Sequence, residues 1–145
     1  MGNGYPVAAV VTRRELVERF AFARRVFSTF GGNPVAAQAA LAVLDVIRAE
    51  RLGSPAQRVG GVLRGRLDEL AERHSSVVEV RGLGLLLGVE LTEPEHARGV
   101  VDRMRRDGVL IGRTGPRDNV LKIRPPLVVE DEHVELLVSV LDAAL

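Results

Sequence analysis

The sequence predicts an α+β protein, on three observations. Apolar residues recur at three- and four-residue spacing through several stretches, as in helices that bury one face. Residues 77–92 and 120–124 switch to the shorter period of strands and are punctuated by glycine and proline. A strand and helices come first, then strands and helices are mixed. At 145 residues the chain has the length of one domain and can bury about two-thirds of its unfolded surface.

Met1-Gly2-Asn3-Gly4-Tyr5-Pro6 reads as a turn between elements, because Asn-Gly and Tyr-Pro are punctuation. A chain that opens inside a turn is expected to be part of something longer. Val7-Ala8-Ala9-Val10-Val11 has the apolar run of a buried strand. Thr12-Arg13-Arg14-Glu15 has the form of a capping box, opening a helix with Leu16, Val17 and Phe20 on one face. In Asn33-Pro34 the asparagine can accept from free N–H groups, and proline fits the first helical position because its missing N–H has no partner there. The helix it starts runs to about Leu52, is apolar on most sides and so is expected to be buried on most sides, with Gly53 as its C-terminal cap.

Ser54-Pro55 repeats the cap-then-proline signal for a helix reaching about His74, with Val59, Val62, Leu63, Leu67 and Leu70 inward. Gly60-Gly61 within it costs about 1 kcal/mol per glycine against alanine, which implies tight packing there. Residues 77–92, interrupted by Gly82, Gly84 and Gly88, read as a strand pair or one bent strand. Thr92-Glu93-Pro94-Glu95 has the form of a second capping box, for a helix with Ala97, Val100, Val101 and Met104 inward and Gly108 closing it. Val109-Leu110-Ile111 is expected as a strand, residues 112–119 as a polar loop, and Val120 to Arg124 as a strand stopped by Pro125-Pro126. The last helix, about Glu130 to Leu145, has an acidic first turn that suits the helix dipole and Val134, Leu137, Val138 and Leu141 on its apolar face.

Composition removes several classes of function. Net charge is +1 and aromatics are 3%, so neither a basic footprint nor base stacking points to nucleic acid. With no cysteine there is neither a disulfide framework nor a thiolate metal site. No apolar run approaches the ~18 residues that span a bilayer, and no signal-peptide layout is present. The expected compartment is therefore the cytoplasm, without membrane or nucleic-acid partners. Of the 20 basic residues only Lys122 is a lysine, so lysine chemistry must use Lys122 or a residue outside this chain.

Two places in the sequence can carry chemistry. Phe27-Ser28-Thr29-Phe30-Gly31-Gly32 brings two hydroxyls and two glycines to a helix start, which either holds an anion such as phosphate or serves only as turn and cap. On Lys122-Ile123-Arg124-Pro125-Pro126 the strand period puts Lys122 and Arg124 on one side. Arg124, held between Ile123 and two prolines, suits a carboxylate or phosphate, or else pairs with a structural acid. His74, His96 and His133 share no metal-ligand spacing and read as solvated histidines. Arg81-Gly82-Leu83-Gly84 and Gly31-Gly32 match no P-loop or dinucleotide fingerprint.

Together these segments resemble a known family. Residues 1–10, Phe27 to Pro34, Arg81-Gly82-Leu83-Gly84-Leu85 and Ile123-Arg124-Pro125-Pro126-Leu127 look like class-III aminotransferases, in the family's order and across essentially the whole chain. Residues 115–123 look closest to the branch that holds ethanolamine-phosphate and phosphohydroxylysine phospho-lyases. The resemblance implies pyridoxal 5'-phosphate as cofactor, an amino substrate with a keto acid as acceptor, and a homodimer. It implies the C-terminal part of a fold-type-I transferase, with residues 1–52 ending the large domain through a long linking helix and residues 53–145 forming the small domain. Thr29, with Ser28 beside it, matches the threonine that reaches the cofactor phosphate of the neighbouring subunit. Arg124 matches the arginine that receives a substrate carboxylate.

One departure matters for the chemistry. The family's Schiff-base lysine precedes Gly-Asn-Gly, which places it ahead of Met1, and Lys122 matches a strand position instead. The aspartate of the pyridine nitrogen and the main phosphate cradle also belong to upstream sequence. On this reading no catalytic residue lies in the chain, which is expected to be inactive alone. The competing readings are a phospho-lyase of the same family, a non-catalytic dimerisation or partner module, and a free-standing α+β domain that binds a small ligand through Arg124.

Overall fold

In the computed structural model, which describes residues 2–24 and 26–145, the chain forms two compact units, residues 1–51 and 52–145. The first opens on the expected Asn-Gly turn. Asn3 and Gly4 take positive φ of 46° and 102°, and the Tyr5 N–H donates to the Gly2 carbonyl at 3.0 Å. No strand follows. Residues 7–11 join no strand or bridge, with Val10 and Val11 at least nine-tenths exposed. A run of valines makes a buried strand only when neighbouring strands accept its backbone bonds, and this unit supplies none among its described residues.

Helix α1 spans Arg14–Ala23 and α2 spans Pro34–Ala49. The capping box expected for α1 is not made: Arg13 is the N-cap, with no side-chain bond. No residue of α1 is buried, and in α2 only Ala36 is, so Leu16, Val17, Phe20, Leu41 and Leu44 stay exposed. The apolar faces that the sequence prepares for burial are thus uncovered within this unit. The cap of α2 forms as expected: Asn33 Oδ1 accepts from the Ala36 N–H at 2.9 Å, with Pro34 in the first turn. The helix ends at Glu50, with Arg51 in the left-handed region at φ 51°. Gly53 is therefore not its cap but the first residue of the next helix.

The second unit holds the core. Helix α3 (Gly53–Arg73) is followed by β1 (Val77–Leu83), β2 (Leu86–Leu91), α4 (Pro94–Arg106), β3 (Gly112–Thr114), β4 (Val120–Ile123) and α5 (Asp131–Ala144). The four strands form an antiparallel sheet in the order β1-β2-β4-β3. Leu87, Val89 and Leu91 alternate inward along β2, opposite Ile123 and Leu121 of β4, and the three helices cover that face. Leu63, Leu67 and Leu70 of α3, Val100 and Met104 of α4, and Val138 and Leu141 of α5 are almost wholly buried there. Each such side chain contributes about 1.5–3 kcal/mol by transfer from water.

Several boundaries differ from expectation. Ser54 and Thr92 do not cap, since Leu52 and Glu93 occupy those positions without side-chain bonds. Val62 lies on the outer side of α3, 40% exposed. The third strand is Gly112–Thr114 rather than Val109–Ile111, because its partners on β4 run from Lys122 to Val120. Gly108 does close α4, at φ 85°, with the Val109 N–H reaching back to the Met104 carbonyl at 2.8 Å. The residues 77–92 form a hairpin whose turn has Gly84 at φ 57°. The histidines are not merely solvated: His133 Nδ1 accepts from the Glu130 N–H, His96 Nε2 lies 3.2 Å from the Leu145 carbonyl, and His74 Nε2 donates to Asp142 at 2.6 Å.

Gly60 explains how α3 sits on the sheet. A Cβ there would lie 2.6 Å from the Gly84 carbonyl carbon and oxygen, whereas one on Gly61 would meet nothing within 4 Å. Gly60→Ala is therefore expected to destabilise by about 1–3 kcal/mol, as overpacking does. Gly61→Ala is expected to stabilise by about 0.5–1 kcal/mol through helix propensity. Urea denaturation of the two variants checks the opposite signs.

Polar contacts to Asp142 also tie the end of α3 to α5. Hydrogen bonding from His74, then from Arg73 at 3.0 Å, holds the Asp142 carboxyl below its usual value. A depressed carboxyl stabilises fully above its unfolded pKa of about 3.9 and loses that contribution as pH falls through the folded value. Asp142→Asn is expected to lower stability at pH 6, with the gap from the parent closing below pH 4 in acid melts.

Candidate functional site

Arg124 follows directly on β4, a strand paired on both sides. Leu121 and Ile123 point into the core and are at most 1% exposed, which fixes the strand that carries it. Pro125 and Pro126 then end the ladder, since neither has an N–H to give. The Arg124 side chain is exposed and lines a pocket of about 490 Å³ with Lys122, Leu110, Ile111, Gly112, Pro126 and Leu137. The two basic residues that strand period places on one side thus share one pocket.

The acids nearby are already engaged. On the sheet face away from the helices, Arg81 Nη1 binds Glu79 at 2.7 Å and Glu90 at 2.6 Å. The bond to Arg81, and a second from Asn119, keep the Glu90 carboxyl below its ordinary range. Arg113 takes Asp118 at 2.6 Å, and Arg117 donates to the Thr92 carbonyl. Among the described residues no carboxylate lies within ion-pair distance of Arg124 or Lys122. Of the two readings left open for Arg124, the structural pair is not made, and a planar fork with free donors faces a pocket.

Asn119 went unnoticed in the sequence. It is the buried polar residue of the described core, with its side chain donating to the Leu91 carbonyl at 2.6 Å and its own carbonyl accepting from the Leu91 N–H at 2.9 Å. It extends the β2–β4 pairing by one residue and so steadies the strand leading to Arg124. A lone asparagine after an aspartate in a polar loop carries no sequence signal for that role.

Ser28 and Thr29 lie in the other unit. The Ser28 hydroxyl oxygen accepts from the Gly31 N–H at 3.0 Å, and Asn33 Nδ2 donates to the Phe30 carbonyl at 2.8 Å. Gly32 takes φ 70°, and the loop is a self-bonded turn with both hydroxyls exposed. The cap of α2 already uses the Ala36 N–H, and Pro34 has none to offer. The hydroxyls of Ser28 and Thr29 are exposed and each carries a hydrogen to donate. That donor set fits a phosphate oxygen.

Comparison with known proteins gives these features a context. The family described as aminotransferase class-III matches residues 1–145. Alanine--glyoxylate aminotransferase 2 homolog 2, mitochondrial, of Arabidopsis thaliana is 41% identical over 150 residues, which is 98% of this chain and 31% of that protein. A phospholyase from Arthrobacter, solved in complex with phosphoethanolamine, is 43% identical with a TM-score of 0.82, over 99% of this chain and 36% of that one. An amine transaminase from an uncultivated Pseudomonas species, solved in the PLP-bound form, is 36% identical with a TM-score of 0.72, over 86% of this chain and 30% of that one. The chain thus spans about a third of the length of the proteins it matches, and its fold is that of the matching part of fold-type-I transaminases.

A free arginine and a structural one answer differently to neutralisation. Arg124→Gln is expected to change unfolding free energy by no more than about 0.5 kcal/mol, the range of a surface change that breaks no bond. A urea titration giving a loss well above 1 kcal/mol would show instead that Arg124 holds the fold.

Proposed function

This chain belongs to the class-III aminotransferase family, and we propose that it supplies the C-terminal third of a pyridoxal-phosphate enzyme acting on a small amino substrate with a keto acid as partner. The observation that carries this reading is the family match along residues 1–145 together with Arg124 unpaired at a pocket wall. In this proposal residues 1–52 end the cofactor-binding domain and residues 53–145 are the small domain. The exposed apolar faces of α1 and α2 are what such a piece presents before the rest of the enzyme and a second copy cover them.

The roles of the residues follow from their chemistry. Arg124 receives the substrate's anionic group in a two-pronged hydrogen bond and fixes the direction of its amine. Thr29 and Ser28 donate hydroxyl hydrogens to the phosphate of a cofactor bound by the neighbouring subunit. Bound pyridoxal phosphate supplies the electron sink for cleavage at the amine-bearing carbon. The lysine that anchors it comes from outside this chain, because Lys122 stands on β4, between β2 and β3.

A second reading within the same family is elimination of phosphate rather than transfer of the amine. It is favoured by the likeness to the Arthrobacter phospholyase at 43% identity. Both readings make the same prediction for the chain alone. Incubated with pyridoxal phosphate and reduced with borohydride, it is expected to show no stoichiometric adduct at Lys122 by peptide mapping. A quantitative adduct there would overturn the assignment of the anchoring lysine. Co-purification with a lysine-bearing polypeptide that does not restore activity would favour a partner module.

A further inference from the structure

We propose that Asn3 is a site of spontaneous covalent modification, at which the Gly4 backbone nitrogen displaces the side-chain amide and water completes the conversion to aspartate and isoaspartate. The inference goes beyond the aminotransferase reading and needs neither a cofactor nor a second polypeptide.

The reaction needs no oxidant or reductant. The Gly4 nitrogen gives up its proton and attacks Asn3 Cγ. The N–Cγ bond forms, the Cγ–Nδ2 bond breaks, and ammonia leaves with that proton. The product is a five-membered succinimide ring, which water opens at either carbonyl. Opening at Cγ gives aspartate. Opening at the main-chain carbonyl gives isoaspartate, with the backbone now running through the side chain.

The local geometry favours that attack at Asn3. Its side chain is exposed, and among the described residues the Gly4 N–H donates to no acceptor. A Cβ built on Gly4 would meet nothing within 4 Å, so base and solvent reach the nitrogen freely. Ring closure requires the Asn3–Gly4 peptide plane to rotate out of the turn. Only the isolated Gly2–Tyr5 bridge resists, because residues 7–11 join no strand that would back it. A turn held by one bridge belongs to the low end of local stability.

The comparable positions are each blocked. Asn33 precedes Pro34, which has no N–H to become a nucleophile, and its side chain is engaged with Phe30 and Ala36. Asn119 is buried, donates to the Leu91 carbonyl and precedes the buried Val120. Asp107-Gly108 could close the same ring with loss of water, but the Gly108 N–H is bonded to the Arg105 carbonyl at 3.3 Å and the next amide to Met104 at 2.8 Å. Of these four positions the structure leaves only Asn3 open. Either product adds a carboxylate and removes the chain's one formal positive charge. Isoaspartate also adds a carbon to the turn, which the Gly2–Tyr5 bridge is not built to span.

The three asparagines fall in separate tryptic peptides, so one experiment reads all of them. The chain is incubated at pH 8 and 37 °C, folded or in guanidinium chloride, and mapped over days by mass spectrometry. The peptide of residues 1–13 is expected to gain about one mass unit and split into two products by chromatography. Folding is expected to slow this by no more than about threefold, as for a segment that opens freely. Asn33 and Asn119 stay intact in the folded chain, and isomerisation at Asp107 appears only in denaturant. Gly4→Ala is expected to slow the loss of Asn3 at least roughly tenfold, since a Cβ beside the nitrogen hinders its approach. An Asn3 that survives folded but reacts unfolded, a slowing by folding above about threefold, equal reaction at Asn33 or Asn119, or no effect of Gly4→Ala would each sink the proposal.

Discussion

Helix α3 lies directly on the turn of the β1–β2 hairpin, with no side chain between Gly60 and Gly84, and the second unit is arranged around that contact. The close approach lowers Leu63, Leu67 and Leu70 onto the sheet and lets α5 pack alongside α3. β4 is then enclosed between β2 and β3 with its core residues locked. Whatever Arg124 does, it does from the end of one of the two inner strands of the sheet. A functional side chain on an enclosed strand is placed more accurately than one on a loop.

Local chemistry was legible where both partners are near in sequence. Asn33 and Ala36 are three residues apart, Gly108 and Val109 follow the helix they close, and the β1–β2 hairpin turns within two residues. What failed needed distant partners. Val7 to Val11 has strand composition but nothing to pair with, and the apolar sides of α1 and α2 meet no cover. Thr12, Ser54 and Thr92 are local exceptions: they have capping chemistry, yet the N-caps fall one or two residues away, at Arg13, Leu52 and Glu93. The strand at Gly112–Thr114 replaced the more apolar Val109–Ile111 because pairing with β4 outweighs composition.

The site was legible in part, for the same reason. A period of two put Lys122 and Arg124 on one side, and the structure lines one pocket with both. That neither is paired could not be read from the sequence. It depends on Glu79 and Glu90 being drawn to Arg81 across the β1–β2 register, and on Asp118 being taken by Arg113. His74 and Asp142 are 68 residues apart, so no spacing rule announces them.

The shape of the sheet has a further consequence for how the molecule behaves in a crowded solution. Its two outer strands are β1 and β3, and an open edge is a template on which another chain can add a strand. β3 has three residues, and Gly115 at φ 89° turns the chain away at once. β1 is broken in register between Val77 and Glu79, and it carries Glu79 and Arg81 on one face. Each edge thus presents too short or too charged a ladder to seed intermolecular β-pairing. A chain whose first unit leaves many apolar residues in water has that protection where cross-strand aggregation would otherwise begin.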